Sequence, residues 1–502
     1  MAIERRHLIA TRHGAVHVRV FGDGPPLVGL HASPRSSLDL VALATRLSDR
    51  FTVILVDTPG FGWSDPLPFE QPYAEDFADA IAEALDRFGV AGAAFYAAHT
   101  GAQIALEIGA RHPQLISGLV ADGLPLLTPA EREAWLAGTI PDLAVKADGS
   151  HLTWIWSRAR DGAVFMPFNI VGTSARSVRA FPPVELIDRA AMELLRAGEQ
   201  WRDGYFAAFR HETAEKLGQF ITPVRLTCRE GDALLPHLQR LPLGTETEVL
   251  PAHVDDWAQR IGELALEWPA GSIKAHAPAP RRRSLVTIAD RAIQVRRSAG
   301  PGPLIVLLTS PTRAGRSLEP ALQRLNGRAE LLQIDLPGTG GSDALASTGS
   351  EPMIEALAHI IGQETKPPGI ILGEDDSSGI ALGLSQRFAV PAVGLGSPSP
   401  ATPPSLEPDL QGGHLLKAWW HERDRLLWDD DERRRPRAHP TGHDPHQLQR
   451  ATLDLLEARG FDADSLEAIR QLPKPTQWVA SSPSADVAFA DELLSLGRQV
   501  GN

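Results

Sequence analysis

A chain of 502 residues that is 43% hydrophobic can bury two cores, and a net charge of −13 with no long Lys/Arg stripe excludes nucleic acid as the expected partner. No apolar run reaches the roughly 18 residues a membrane span needs, and the opening MAIERRH is charged where a signal peptide would be apolar, so a soluble, unexported protein is expected. The single cysteine, Cys228, excludes an intramolecular disulfide and a thiolate zinc cluster and points to a cytoplasmic setting, with core packing as its simplest role.

In chain order, VHVRVFG alternates like a half-buried strand and PPLVGLH is a short apolar strand. LDLVALATRL follows at helical spacing, and FTVILVDTPG is a strand ending in a Pro-Gly turn. AEDFADAIAEALDRFG predicts an amphipathic helix closed by Gly89. AAFYAAHTGAQIALEIGARH runs from strand directly into helix, and LISGLVADG is the next strand. Strands alternating with helices predict an α/β fold, a mostly parallel sheet covered on both faces, with ligands at the carboxyl ends of its strands.

The chain then says the same thing again. LIATRHGAVHVR from Leu8 recurs as LVTIADRAIQVR from Leu285, 277 residues on, and VDTPGFGWSD from Val56 recurs as IDLPGTGGSD from Ile334, 278 residues on. Two tandem lobes are expected, 1–277 and a shortened 278–502, with the basic run Arg281–Arg283 at the end of an Ala/Pro-rich linker. Two copies this long do not form a solenoid.

At the abrupt strand-to-helix junction, Ala98-His99-Thr100-Gly101-Ala102 has small residues around a central side chain, the spacing of a nucleophile elbow, with Thr100 expected at the tip. Together with LHASPRSS from Leu30 and DTPGFGWSD from Asp57, the chain resembles the α/β-hydrolase fold superfamily, in its cap-bearing branch, once per copy. The family elbow is Gly-x-nucleophile-x-Gly with Ser, Asp or Cys at its centre, so a Thr centre departs from it and leaves the chemistry open.

The resemblance implies a triad in the order Thr100, Asp232, His253: a nucleophile, an acid that orients the base, and the base. Asp122 competes with Asp232 as the acid, and His253 is alternatively a surface imidazole. The amides of Ala32 and Gly101 would form the oxyanion hole, His31 and Arg35 flank that loop, and His99 is read as support for Thr100.

Residues about 126–212 break the strand-helix rhythm and fit a helical cap. In DGSHLTWIWSRARD, His151 shares a helix face with Trp154, and Trp156 with Arg160. Trp154 and Trp156 either line an apolar pocket or pack the cap, and His151 either donates to a substrate or packs; no compact metal-ligand pattern surrounds it. His414, Trp419, Arg423 and Asp424 repeat His151, Trp156, Arg160 and Asp161 at a constant 263 residues, which makes Arg160 and Asp161 framework residues. The second cap is expected at about 400–465.

In the second copy, GIILGEDDSSGIALGL puts Asp376 opposite Thr100, Leu308 stands opposite His31, and no histidine follows His446. That lobe is expected to be catalytically dead, the alternative being an acidic ligand pocket of Glu374, Asp375 and Asp376. It would cover apolar surface, position the first cap, or send a loop into the first pocket.

The function expected is cofactor-free, metal-free hydrolysis of a small, partly apolar ester or activated carbonyl compound, with Thr100 as nucleophile. The alternatives are cofactor-free C–C cleavage or proton transfer with His253 as base, and a non-catalytic binding or scaffold protein. A small-molecule substrate is the expected partner, for a monomer of two lobes or a homo-oligomer.

Overall fold

The computed structural model describes residues 3–138, 140–165, 168, 171–176, 180–274, 282–316, 327–396, 404–428, 444–479 and 495. Two compact units result: Met1–Ala144 with Trp154–Ala279, and Val145–Thr153 with Pro280–Asn502. The expected lobe boundary and Arg281, within 275–281, lie outside the described residues, as do 400–403 and 429–443 of the second cap.

The first unit contains β1 (Glu4–Thr11), β2 (Gly14–Phe21), β3 (Pro26–Leu30), β4 (Thr52–Val56), β5 (Val90–Ala91), β6 (Ala93–Ala98), β7 (Ile116–Asp122), β8 (Val224–Arg229), β9 (Thr247–Leu250) and β10 (Ser272–Ile273). Eight of these form one sheet in the order β1-β2-β4-β3-β6-β7-β8-β9, while β5 and β10 pair separately. From β4 through β9 every pairing is parallel; β1–β2 and β2–β4 are antiparallel.

Both faces of this sheet are buried, so its central strands read as unbroken apolar runs rather than alternation. Val28, Leu30, Ile54 and Val56 face a core shared with α2 (Ala74–Phe88) and α3 (Thr100–Arg111), once α1 (Val41–Leu47) has crossed to the other side. Leu27, Val53 and Leu55, one residue out of phase, pack with α1 and, near the end of the unit, with Trp257, Ala258 and Ile261. Each such aliphatic side chain contributes about 1.5–3 kcal/mol by leaving water.

Between β7 and β8 lie α4 (Pro129–Gly138), α5 (Ser150–Val164), α6 (Val184–Ala197), α7 (Trp201–Arg210) and α8 (Thr213–Gln219), and α9 (Val254–Ala265) follows β9. The first turn of α5 belongs to the second unit and the rest to the first. Met166 and Pro167 lie outside the described residues.

The second unit holds β11 (Arg283–Ile288), β12 (Arg291–Ser298), β13 (Leu304–Leu308), β14 (Glu330–Ile334), β15 (Pro368–Glu374), β16 (Ala392–Leu395) and β17 (Trp478–Val479). Their order, β11-β12-β14-β13-β15-β16-β17, is that of the first sheet through its seventh strand. Its helices are α10 (Ser350–Gly362), α11 (Ser378–Phe388), α12 (Gly413–Leu427), α13 (Pro445–Glu457) and α14 (Ala463–Arg470). Among the described residues, no helix in either unit is long and apolar enough to cross a membrane.

The repeated DTPGFGWSD and DLPGTGGSD segments turn out to be a folding device. Asp57 accepts from the Ser37 and Trp63 amides and lies 2.8 Å from His17 Nδ1. Asp335 takes the same place, bonded by Gln294 and Arg296. Ser64 and Ser342 each donate to the carbonyl of that aspartate and accept from the amide of residue 17 or 294. Asp65 and Asp343 accept the amides of Ala15 and Ala292. Gly62 is required inside the turn: its φ is +56°, and a Cβ there would stand 2.2 Å from the Asp57 carboxylate.

This also corrects the expected half-burial of VHVRVFG. The strand is buried almost throughout, because His17 and Arg19 have polar partners in Asp57 and Ser37. Burial drives His17 down to about 4, so it stands as a neutral donor to Asp57.

Candidate active site

Strand β6 ends at Ala98 and α3 begins at Thr100, leaving one residue for the reversal. That residue is His99, at φ +51° and ψ −116°, a strained conformation for a residue with a Cβ. Thr100, expected at the tip, is the first residue of the helix and is buried. The small-residue window fits one register earlier, with Ala97 and Gly101 two residues either side of His99. Gly101 fixes that register, since a Cβ on it would lie 2.6 Å from the Leu30 carbonyl and 2.7 Å from that of His31.

The His99 amide donates to the Asp122 carbonyl at 2.9 Å, and its ring Nε2 lies 3.0 Å from Asp232 Oδ2. Asp232 is held in turn, its Oδ1 accepting the Leu234 amide at 2.8 Å. Gly123 clears the ring's path, because a Cβ there would meet His99 Cδ2 at 2.7 Å. Burial alone would lower the His99 pKa; the charge and hydrogen bond of Asp232, helped by Asp122, outweigh it and leave the imidazole above its ordinary value.

His253 does not join this group. Its backbone caps α9, its side chain is 65% exposed beside Asp255 and Asp256, and the Asp232 oxygen expected to orient it faces His99 instead. The expected Thr100–Asp232–His253 triad is therefore not assembled. Asp122, at the end of β7, accepts the Tyr96 hydroxyl at its Oδ2 at 2.6 Å, and burial raises its pKa.

His31 is likewise a framework group. It is buried, with Nδ1 3.0 Å from the Ala32 carbonyl and Nε2 accepting the Thr58 amide at 3.0 Å, so both ring nitrogens are engaged by backbone. Arg35 reaches Glu193 of α6 at 3.2 Å and Asp39 at 3.2 Å, while the Ser36 amide also donates to Glu193. These contacts pin the loop after β3 to the cap.

His151 lies among the residues of the second unit, its ring 4.9 Å from that of Trp419 and its pKa lowered by burial to about 4. Trp156 is buried, and Trp154 stacks against Trp201 and Phe168, so both serve the cap's aromatic interior. Sequence reasoning passed over Tyr96, Glu193 and His237, the last accepting the Leu126 amide at 3.0 Å.

At the second unit's strand-helix junction the residue with positive φ is Asp375, φ +50°, the counterpart of His99. Arg313 is buried against it, ion-paired with both Asp375 and Glu374, and Arg470 lies 3.1 Å from Asp376. Each acid thus already has a cation, which corrects the alternative of an open acidic ligand pocket.

A profile described as the alpha/beta hydrolase fold matches residues 25–139, which run from β3 through the elbow into α4. Over that segment the chain matches the α/β-hydrolase fold family. Among curated relatives, it is 38% identical over 107 residues to a 2-(acetamidomethylene)succinate hydrolase of Mesorhizobium japonicum, covering 21% of this chain and 38% of that one. It is 30% identical over 122 residues to a pimeloyl-[acyl-carrier protein] methyl ester esterase of Shewanella woodyi, covering 24% and 44%. The chain thus spans less than half the length of these relatives. Solved structures similar to it include an epoxide hydrolase from Vigna radiata, with 15% identity, TM-score 0.40, and coverage of 53% of this chain and 98% of that one. A thermophilic esterase from Thermogutta terrifontis is also similar, with 17% identity, TM-score 0.38, and coverage of 53% and 97%.

Proposed function

We propose that the first lobe is an α/β-hydrolase-type, cofactor-free hydrolase of a small, partly apolar ester or activated carbonyl compound, working through a His99–Asp232 dyad. The observation that carries this reading is the imidazole at the strained elbow tip with Nε2 on Asp232. With its Nε2–H donated to Asp232, His99 keeps Nδ1 as the basic nitrogen. Water attacks the carbonyl carbon, its proton passes to Nδ1, and the same proton leaves on the departing group as the tetrahedral intermediate collapses. The amides of Ala32 and of Thr100, the residue after the tip, hold the oxyanion. Helix-start amides such as that of Thr100 have no partner within their own helix. That the curated relatives are a hydrolase and an esterase supports hydrolysis as the reaction class.

A second reading, cofactor-free proton transfer or C–C cleavage with His99 as base, is favoured by the absence of a hydroxyl from the tip. Turnover in ¹⁸O-labelled water separates the two. Hydrolysis places the label in the acid product; an unlabelled product with His99-dependent turnover supports proton transfer. Wild-type turnover by His99→Ala would overturn both.

The second lobe is proposed to be non-catalytic, its elbow closed by the Arg313 ion pairs.

A further inference from the structure

Arg158 lies on α5, in the part of the cap belonging to the first unit, and is only 9% exposed. Among the described residues no carboxylate pairs with it. Its Nη2 donates to the Tyr205 hydroxyl at 2.8 Å, its guanidinium carbon lies 3.6 Å from the Phe168 ring centre, and its Nε–H has no partner. Tyr205 also packs on Trp201, ring centres 5.6 Å apart, and the indole N–H of the fully buried Trp201 is without a partner too. Trp154 stacks on the other ring of this set at 5.6 Å.

A buried cation that faces aromatic rings and a phenol, with no acid among the described residues, carries an uncompensated desolvation penalty. A hydrophobic residue of similar size would fill the same space without that cost. The helix that carries Tyr205 also packs on the loop after β3. Gly204, beside Tyr205 on α7, fits against the loop after β3 so closely that a Cβ would lie 2.1 Å from Ser33 Oγ. That loop carries Ala32, the proposed oxyanion donor.

We infer that Arg158, with Tyr205 and Trp201, forms a binding site for the carboxylate of a small substrate whose apolar body lies among the cap aromatics. A carboxylate offers two coplanar oxygens to the guanidinium fork and accepts from the Nε–H that is otherwise unmet. A phosphate monoester brings a third oxygen and a second charge, and Arg35, the cation near Tyr205, is already paired with Glu193 and Asp39. The inference rests on the reading of the first lobe as the ligand-handling one and names its substrate class as carboxylates.

The test is binding, separate from turnover. Unbranched four- to eight-carbon monocarboxylates, their matched primary amides and alkylphosphonates are titrated by calorimetry and tryptophan fluorescence. At least one carboxylate is expected to bind wild type about tenfold or more tighter than its amide and than its phosphonate. Arg158→Met is expected to bring carboxylate and amide within about twofold, and Arg158→Lys, which keeps the charge but loses the fork, to weaken the preference about threefold or more. His99→Ala is expected to lose turnover and keep the preference. No carboxylate preference in wild type, a phosphonate preference, or wild-type preference in both Arg158 variants overturns the site. Should Arg158→Met fail to fold, the Lys variant decides alone. Wild-type turnover in His99→Ala overturns the dyad and leaves the binding result standing.

Discussion

His99 Nε2 lies 3.0 Å from Asp232 Oδ2, joining a residue of the strand-helix reversal after β6 to one 133 positions later, just past β8. Two loops at the carboxyl ends of parallel strands meet there, which is where an α/β sheet places its chemistry.

If that contact works as a base and its orienting acid, His99→Ala lowers kcat by about 10²–10⁴. Asp232→Asn removes the charge that holds His99 above its ordinary value, so the rising limb of the pH–rate profile moves to lower pH. NMR titration of the His99 ring checks the direction. A limb that stays in place, or moves up, contradicts the assignment.

The same shift predicts a stability dependence. A histidine whose folded pKa is raised contributes stability that is fully present below its unfolded value of 6.5 and lost as pH rises through the folded value. Denaturant unfolding of wild type and His99→Gln is therefore expected to differ more at pH 5 than at pH 9. An equal difference at both removes the linkage.

Gly101→Ala places a methyl 2.6 Å from a backbone carbonyl on β3, where neither strand nor helix start can give way. A loss of about 1–3 kcal/mol in unfolding free energy is expected. Gly218→Ala, which meets nothing within 4 Å, is the matched control and is expected to be near neutral.

Glu193 is buried, receives the Ser36 amide and pairs with Arg35, so Glu193→Ala leaves the Ser36 amide without this acceptor and Arg35 with Asp39 alone. About 1–3 kcal/mol of stability should be lost, with faster limited proteolysis between β3 and α1. Unchanged cleavage there would show that the cap does not hold the loop through this residue.

Arg313→Met leaves Glu374 and Asp375 buried without their cation, at an expected cost of about 3–5 kcal/mol. Burial raises the Glu374 pKa and Arg313 opposes that rise, so without Arg313 Glu374 is more readily protonated. The deficit, read by chemical unfolding at several pH values, should shrink as pH falls. Turnover by the folded variant at permissive temperature should stay at the wild-type level if the second lobe is non-catalytic.

The lengths of apolar runs, the strand-helix alternation and the repeat at 277 and 278 residues were all legible in the sequence, because burial on both faces of a parallel sheet writes itself into local composition. The elbow was legible as a place but not as a register. Ala97, Ala98, Gly101 and Ala102 are all small, so two windows fit, and only the close approach of Gly101 to the end of β3 selects His99 over Thr100. Arg158 stands beside the repeated Arg160 and Asp161 with no sequence signal of its own, since a missing ion pair is visible only once neighbours are known.

Sequence by itself determined the fold, its repetition and the strand ends where polar groups could gather, for these follow from periodicity and turn chemistry along the chain. Tertiary structure alone decided which polar groups meet. It brought Asp232 to His99, left His253 in solvent, fastened His31 to backbone at both nitrogens, and closed the second elbow with Arg313. The reason is physical: partner choice between side chains over a hundred residues apart depends on sheet order and on a few ångströms of clearance at glycines, which no local pattern encodes.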